Sequence, residues 1–414
     1  MEKKMNLIND KLSIVKVGYI FISQIMLICF LLLAYSPVFS NLFPPLSTEM
    51  YAFLMLLIVI NVISLIFYTL FPIRINYELI RGEKLNLQKE KLILFFVLTG
   101  FLITFVYSKS IPIISIVLLN DSSYVYKEFG IPFFHVILLT FTQYYTINMW
   151  IRYLLNENKH LLKYIIILSS LPLVIYNRGS FLLLIVSMLV SYILIKKIKL
   201  KIIIKVFVGA LIVSYLFGVS GNVRTNSLYK VEENPFKSSV IMNIGKPDAK
   251  ISNSIDYIKP FYWSYFYIVS PLGNYQLALD GTIAHRHYFE LMEKVNFNLY
   301  IIPDFISKRI VGDELYYSYM KIPLISPTIT AATSFSLSYY ADGWFGVCIT
   351  VLAMYLLFFL SSMIKDPVNK LVAISLVSTI ILFSFFSNML IFSGLSFQLL
   401  YCFLFGSKYL KKYI

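Results

Sequence analysis

Lys163 to Lys197 reads KYIIILSSLPLVIYNRGSFLLLIVSMLVSYILIKK. Lysines bound two apolar runs, and one polar interruption, Tyr176-Asn177-Arg178-Gly179-Ser180, stands between them. The pattern predicts two helices that cross a bilayer and return. Each limb has about 16 residues, or roughly 24 Å at 1.5 Å per residue. The hydrocarbon core is roughly 30 Å thick, so the hairpin tip falls short of the outer surface. An arginine at that depth costs about 2.5–3.5 kcal/mol unless it meets water or an anion. Arg178 therefore either snorkels to lipid phosphates or serves a recessed anion site.

The same reading extends along the chain. Apolar stretches at 17–35, 50–71, 91–107, 131–151, 164–177, 180–195, 202–219, 343–363, 370–387 and 389–406 predict about ten transmembrane helices in an all-α polytopic protein. The gaps between them then alternate sides. One set carries 22 Lys/Arg against 7 Asp/Glu and the other 14 against 14, so the net charge of +15 belongs to one face. The positive-inside rule makes that face cytoplasmic, with both termini on it. The basic balance thus reports topology, and no nucleic-acid partner is expected.

With 58% hydrophobic and 14% charged residues, a soluble chain has too little polar surface to cover itself. The runs have helical length and lack the alternation of an outer-membrane barrel. The basic start followed by an apolar run mimics a signal peptide, but Ala34-Tyr35-Ser36-Pro37 offers no good cleavage site, so it reads as a retained span. Cys29, Cys348 and Cys402 all fall inside apolar stretches, which argues against external disulfides and thiol or metal chemistry. No metal or other cofactor is expected.

Three regions follow: an N-terminal bundle at 1–219, a large external segment at 220–342, and C-terminal helices at 343–414. The external segment has too many aromatic residues to be disordered. Clusters such as Phe261-Tyr262-Trp263-Ser264-Tyr265-Phe266-Tyr267 predict helices resting in the interfacial zone, folded over the outer mouth of the bundle.

Candidate chemistry gathers on that outer side. Arg224 follows the seventh span at a depth similar to Arg178, and two guanidinium forks at one level suit a diphosphate; lipid head-group anchoring is the alternative for Arg224. His285-Arg286-His287 is the only histidine cluster. It reads as the solvated face of an amphipathic helix with Glu290 and Glu293, as a phosphate or sugar contact, or as a general base. It has no third ligand at metal spacing. Asp342, before the eighth span, either caps that helix or positions a hydroxyl or an arginine. There is no Walker loop, no dinucleotide fingerprint and no Asp-x-Asp pair.

Taken together, several segments resemble the O-antigen and capsule oligosaccharide repeat-unit polymerase family. Asn177-Arg178-Gly179-Ser180 is similar to the Arg-Gly element these proteins carry between two spans. Tyr267-Ile268-Val269-Ser270-Pro271-Leu272-Gly273-Asn274 is similar to their Tyr-x-x-Ser-Pro-Leu-x-Asn stretch. Thr330-Ala331-Ala332-Thr333-Ser334-Phe335 through Asp342-Gly343-Trp344-Phe345-Gly346 resembles a Thr-rich run leading to Asp-Phe-Gly-x-x-Gly, with Gly343-Trp344 standing where the family has Phe-Gly.

The resemblance implies a GT-C-like membrane glycosyltransferase of the bacterial plasma membrane. It would move a growing glycan en bloc from undecaprenyl diphosphate to a new lipid-linked repeat unit at the outer face. The bilayer, undecaprenyl-diphosphate-linked oligosaccharides, a chain-length regulator and a flippase would be its partners. Arg178, Arg224 and Arg286 would bind the diphosphate, and His285, His287 or Asp342 would serve the acceptor hydroxyl. A ligase passing the finished glycan to another acceptor shares this chemistry. A lipid-linked oligosaccharide flippase predicts shorter loops and charges inside the spans, and a non-catalytic assembly partner would tolerate loss of Arg178.

Overall fold

Leu371 to Ile381 is buried on every side, the pattern of a helix surrounded by other helices. Its hydroxyl groups turn back on their own backbone: Ser375 Oγ donates to the Leu371 carbonyl at 2.8 Å and Thr379 Oγ1 to Ser375 at 2.9 Å. Each polar group is thus satisfied without water. This helix, Pro367–Phe383, is the axis of the bundle.

The computed structural model describes residues 10–11, 14–36, 38–81, 86–117, 129–196, 200–253, 255–280, 299–319, 322–326 and 330–406. Helices run in the order α1 (Ile14–Ala34), α2 (Thr48–Leu70), α3 (Tyr77–Arg81), α4 (Leu87–Ser108), α5 (Pro112–Val117), α6 (Phe134–Asn156), α7 (His160–Val174), α8 (Arg178–Ile195) and α9 (Leu200–Tyr229). They continue as α10 (Val240–Gly245), α11 (Ala249–Ser252), α12 (Phe261–Leu279), α13 (Asp304–Val311), α14 (Asp313–Tyr319), α15 (Ser334–Met363), α16 (Pro367–Phe383), α17 (Ser393–Ser396) and α18 (Gln398–Gly406). Strands β1 (Asp10–Lys11) and β2 (Arg74–Ile75) form a short antiparallel pair.

Every predicted apolar stretch contains helix. Among the described residues five helices, at Thr48–Leu70, Leu87–Ser108, Arg178–Ile195, Leu200–Ser227 and Ser334–Met363, are long and apolar enough to cross a membrane. Among the described residues the fold is therefore mainly helical, with one short strand pair, and consistent with a membrane protein.

Contacts sort the chain connections into two ends. At one end β1 meets β2, Lys370 Nζ donates to the Arg74 carbonyl at 3.3 Å, Asn156 to Ile80 at 3.2 Å, and Lys196 pairs with Glu157 at 3.1 Å. Gly406 abuts Ile364 there as well. At the other end Tyr265 Oη donates to the Ala34 carbonyl at 2.9 Å, and the Ser47 amide donates to Gln276 at 3.2 Å. Also at this end, Asn388 donates to the Tyr300 carbonyl at 2.8 Å. The grouping follows the alternation read from the charges, with the basic gaps together.

Two elements differ from the sequence reading. Helix α9 continues to Tyr229, well past the end of its apolar run, because leaving an apolar zone does not by itself break a helix. The aromatic run in α12 does not lie flat at an interface. Trp263, Phe266, Val269, Leu272 and Tyr275 are buried against the ends of α1, α2, α9 and α15. Burying these rings against the bundle removes more apolar surface from water than a one-sided interfacial pose.

The Ser-Pro-Leu-x-Asn element lies inside α12. Asn274 Nδ2 donates to the Ala331 carbonyl at 2.7 Å, and its Oδ1 accepts from the Ile325 amide at 2.8 Å. One carboxamide thus ties two separate backbone stretches to the bundle. Helix α15 is broken at Asp342 (φ −131°) and Gly343 (φ +60°), so its first turns and its long apolar part are two rods joined at a kink.

Candidate functional site

Helices α6 and α8 run parallel, with their C-terminal ends joined by the Lys196–Glu157 pair and their N-terminal ends at the opposite end of the bundle. Between those N-terminal ends lies a cavity of about 660 Å3, closed by α13, the start of α14 and α17. That volume is in the range of small-molecule sites, roughly 300–1,000 Å3.

The wall at α8 is built by the Asn-Arg-Gly-Ser element. Asn177 caps the helix, accepting from the Ser180 amide at 3.0 Å. Tyr176, at φ +57°, makes the sharp turn out of α7. The cap presents Ser180 to the cavity; the residue is 1% exposed and its hydroxyl has no hydrogen-bond partner among the described residues. A buried hydroxyl left unmade costs about 1–3 kcal/mol, which a ligand oxygen would recover. Beneath it, Gln143 donates to the Ser180 carbonyl at 3.3 Å and accepts from Gln398 at 2.8 Å.

The facing wall is α13. Asp304 accepts from the Ser393 hydroxyl and, at 3.3 Å, from its amide, which docks α13 on α17. Lys308 Nζ lies 3.4 Å from Asp304 and 5.3 and 4.9 Å from the ring centres of Tyr316 and Tyr317. Burial alone would lower its pKa, but the Tyr317 hydrogen bond and the Asp304 charge outweigh it and hold the ammonium above the ordinary lysine value. Arg309 packs over the Phe133 ring at 5.5 Å and has no carboxylate partner among the described residues. The cavity therefore carries two fixed cations opposite a buried hydroxyl and a helix N-terminus, a composition suited to phosphate oxygens.

Arg178 is exposed, 5.1 Å above the Tyr176 ring, and does not line the cavity. Two residues apart on a helix, it and Ser180 face different ways. Arg224, also exposed, lies 5.9 Å from the Trp263 ring, and its Nη2 is 3.5 Å from Tyr267 Oη. Asp342 accepts from Tyr300 Oη at 2.6 Å and does not line the cavity. Burial and this carboxylate hold the Tyr300 phenol above its usual range. His285, Arg286 and His287 lie outside the described residues.

The sequence reading missed Lys308, Arg309, Asp304 and Asp313. The one signal for the first three was an amphipathic octad, Asp304-Phe305-Ile306-Ser307-Lys308-Arg309-Ile310-Val311, inside the long segment; Asp313 lies just beyond it. No protein-family model matches the chain, and no curated protein or solved structure is significantly similar to it.

Proposed function

We propose that this chain is a membrane glycosyltransferase with about ten crossings and a GT-C-like plan, its basic end and both termini cytoplasmic. It polymerises undecaprenyl-diphosphate-linked oligosaccharide repeat units at the outer face of a bacterial plasma membrane. The observation that carries this reading is the cavity at the end opposite the basic loops, lined by Lys308, Arg309 and a Ser180 hydroxyl that has no hydrogen-bond partner among the described residues.

In the transfer the leaving group is a diphosphate, and fixed cations aimed at its developing charge contribute more than any other single effect. Lys308 and Arg309 are the cations of the cavity. Arg178 and Arg224, exposed at the same end, raise the local concentration of anionic head groups rather than clamp one between them. The polyprenyl chain stays in the bilayer while its head enters. The acceptor is a second lipid-linked unit, and a flippase and a chain-length regulator act beside the enzyme.

The test is a deletion strain complemented with wild type, Lys308→Ala, Arg309→Ala and the double variant. Lipopolysaccharide capped with a single repeat unit in the deletion strain supports a polymerase, and complete loss of capped material indicates a ligase or a flippase. Normal chain length in the double variant, at normal protein level, would remove the cavity from the proposal.

A further inference from the structure

Two carboxylates line the cavity, and their circumstances differ. Asp304 is engaged on both oxygens, by Ser393 on one and Lys308 on the other, and it holds α13 in place. Asp313, the first residue of α14, lines the same cavity with no hydrogen bond or ion pair to any described residue. Gly312, at φ +85°, makes the turn between the two helices that puts Asp313 on the wall, a backbone value side-chain-bearing residues rarely adopt.

Resting on the reading of the cavity as a lipid-diphosphate site, we propose that Asp313 is the general base of the transfer. The hydroxyl oxygen of the acceptor sugar attacks the anomeric carbon of the donor, forming the new C–O bond. The bond from that carbon to the diphosphate oxygen breaks, and its electron pair leaves with the diphosphate toward Lys308 and Arg309. The hydroxyl proton passes to the Asp313 carboxylate and then to water, so no further reactant is needed.

Asp304 and Asp342 serve less well. Both oxygens of Asp304 are occupied in docking α13, and Asp342 accepts from Tyr300 at 2.6 Å and is not part of the cavity wall. A base must also stand within reach of the reacting hydroxyl, with the leaving group held across from it. Asp313 makes no hydrogen bond or ion pair to a described residue and shares one cavity with both cations.

The experiment uses the full chain in phospholipid nanodiscs. Binding is measured with undecaprenyl diphosphate, and single-turnover transfer with lipid-linked repeat units extracted from a host strain that lacks this protein. Asp313→Asn is expected to slow transfer by roughly 10²–10⁴-fold while undecaprenyl diphosphate binds as in wild type. Sodium formate is expected to restore part of the rate in Asp313→Ala and to leave the wild-type rate unchanged. Wild-type transfer by Asp313→Asn would overturn the proposal, as would joint loss of binding and transfer. Should Lys308→Ala and Arg309→Ala bind undecaprenyl diphosphate as tightly as wild type, the diphosphate reading beneath would fall, and the base with it.

Discussion

Gln398 donates a 2.8 Å hydrogen bond to Gln143 Oε1, and both side chains are 1% exposed. Gln143 in turn donates to the Ser180 carbonyl, and Gln398 also donates to Gly394 at 2.7 Å. This chain of carboxamides fixes α6, α8 and the α17–α18 corner to one another under the cavity. Replacing either glutamine by alanine strands a buried partner and should cost about 1–3 kcal/mol. Thermal unfolding in detergent checks the stability. Shortened polysaccharide from a variant that still folds would link the network to the position of Ser180.

Asn274 makes a second such tie, between α12 and the stretches at Ile325 and Ala331. Asn274→Ala leaves an amide and a carbonyl without their partner, again at about 1–3 kcal/mol. The expected result is faster proteolytic cleavage between 322 and 333, with the transmembrane fragments unaffected. An unchanged cleavage pattern would show that the bundle alone holds that segment.

How much of this was legible beforehand can be judged from particular residues. The apolar runs and the basic gaps are one-dimensional signals, and they marked the helices and the two ends of the bundle. Ser180 was readable as part of a polar interruption, but which residue of that turn would face inward depended on the Asn177 cap. Lys308 was invisible for a different reason. Its partners Asp304 and Tyr317 are near in sequence, yet the wall they complete belongs to α6, α8 and α17. Pairings across hundreds of residues leave no periodicity. The aromatic run of α12 misled because aromatic rings suit both an interface and a core, and only the neighbours decide.

Gly218 and Gly221 show how closely α9 approaches α12. A Cβ on Gly218 would lie 1.9 Å from the Pro260 carbonyl oxygen, and one on Gly221 would lie 2.7 Å from the Trp263 ring. Backbone cannot yield as a side chain can, so Gly218→Ala should cost about 1–3 kcal/mol or more and undock α9. Trp263 Nε1 also donates to Asn222 Oδ1 at 2.7 Å, and that bond would break with the docking. A red shift of tryptophan fluorescence in Gly218→Ala, absent in Gly209→Ala, checks the difference. Position 209 has open space around it.

Lys308 sets a pH dependence whose sign is fixed. Its folded pKa lies above the ordinary lysine value, so folding favours the ammonium. The resulting stability is fully present below about pH 10.4, the unfolded value, and is lost only as pH rises through the higher folded value. From about pH 6 to pH 9 the difference in unfolding midpoint between wild type and Lys308→Met should therefore stay constant. A wild-type advantage that grew steadily with pH across that range would mean the lysine is uncharged in the folded protein.

The two ends of the bundle lead to a prediction about sidedness. Glu157, paired with Lys196, marks the basic end, and Lys237, whose ammonium lies 4.8 Å from the Tyr257 ring centre, marks the other. Both are accessible to a water-soluble reagent. With Cys29, Cys348 and Cys402 replaced by serine or alanine, Glu157→Cys and Lys237→Cys become single reporters. In intact cells a membrane-impermeant maleimide should label Lys237→Cys and leave Glu157→Cys untouched until the membrane is opened. The positive-inside rule requires this order, because the basic gaps belong to the cytoplasmic side. Reverse labelling would put the cavity, and with it Ser180 and Lys308, on the cytoplasmic face. A donor presented at the outer leaflet would then have no route to the diphosphate site.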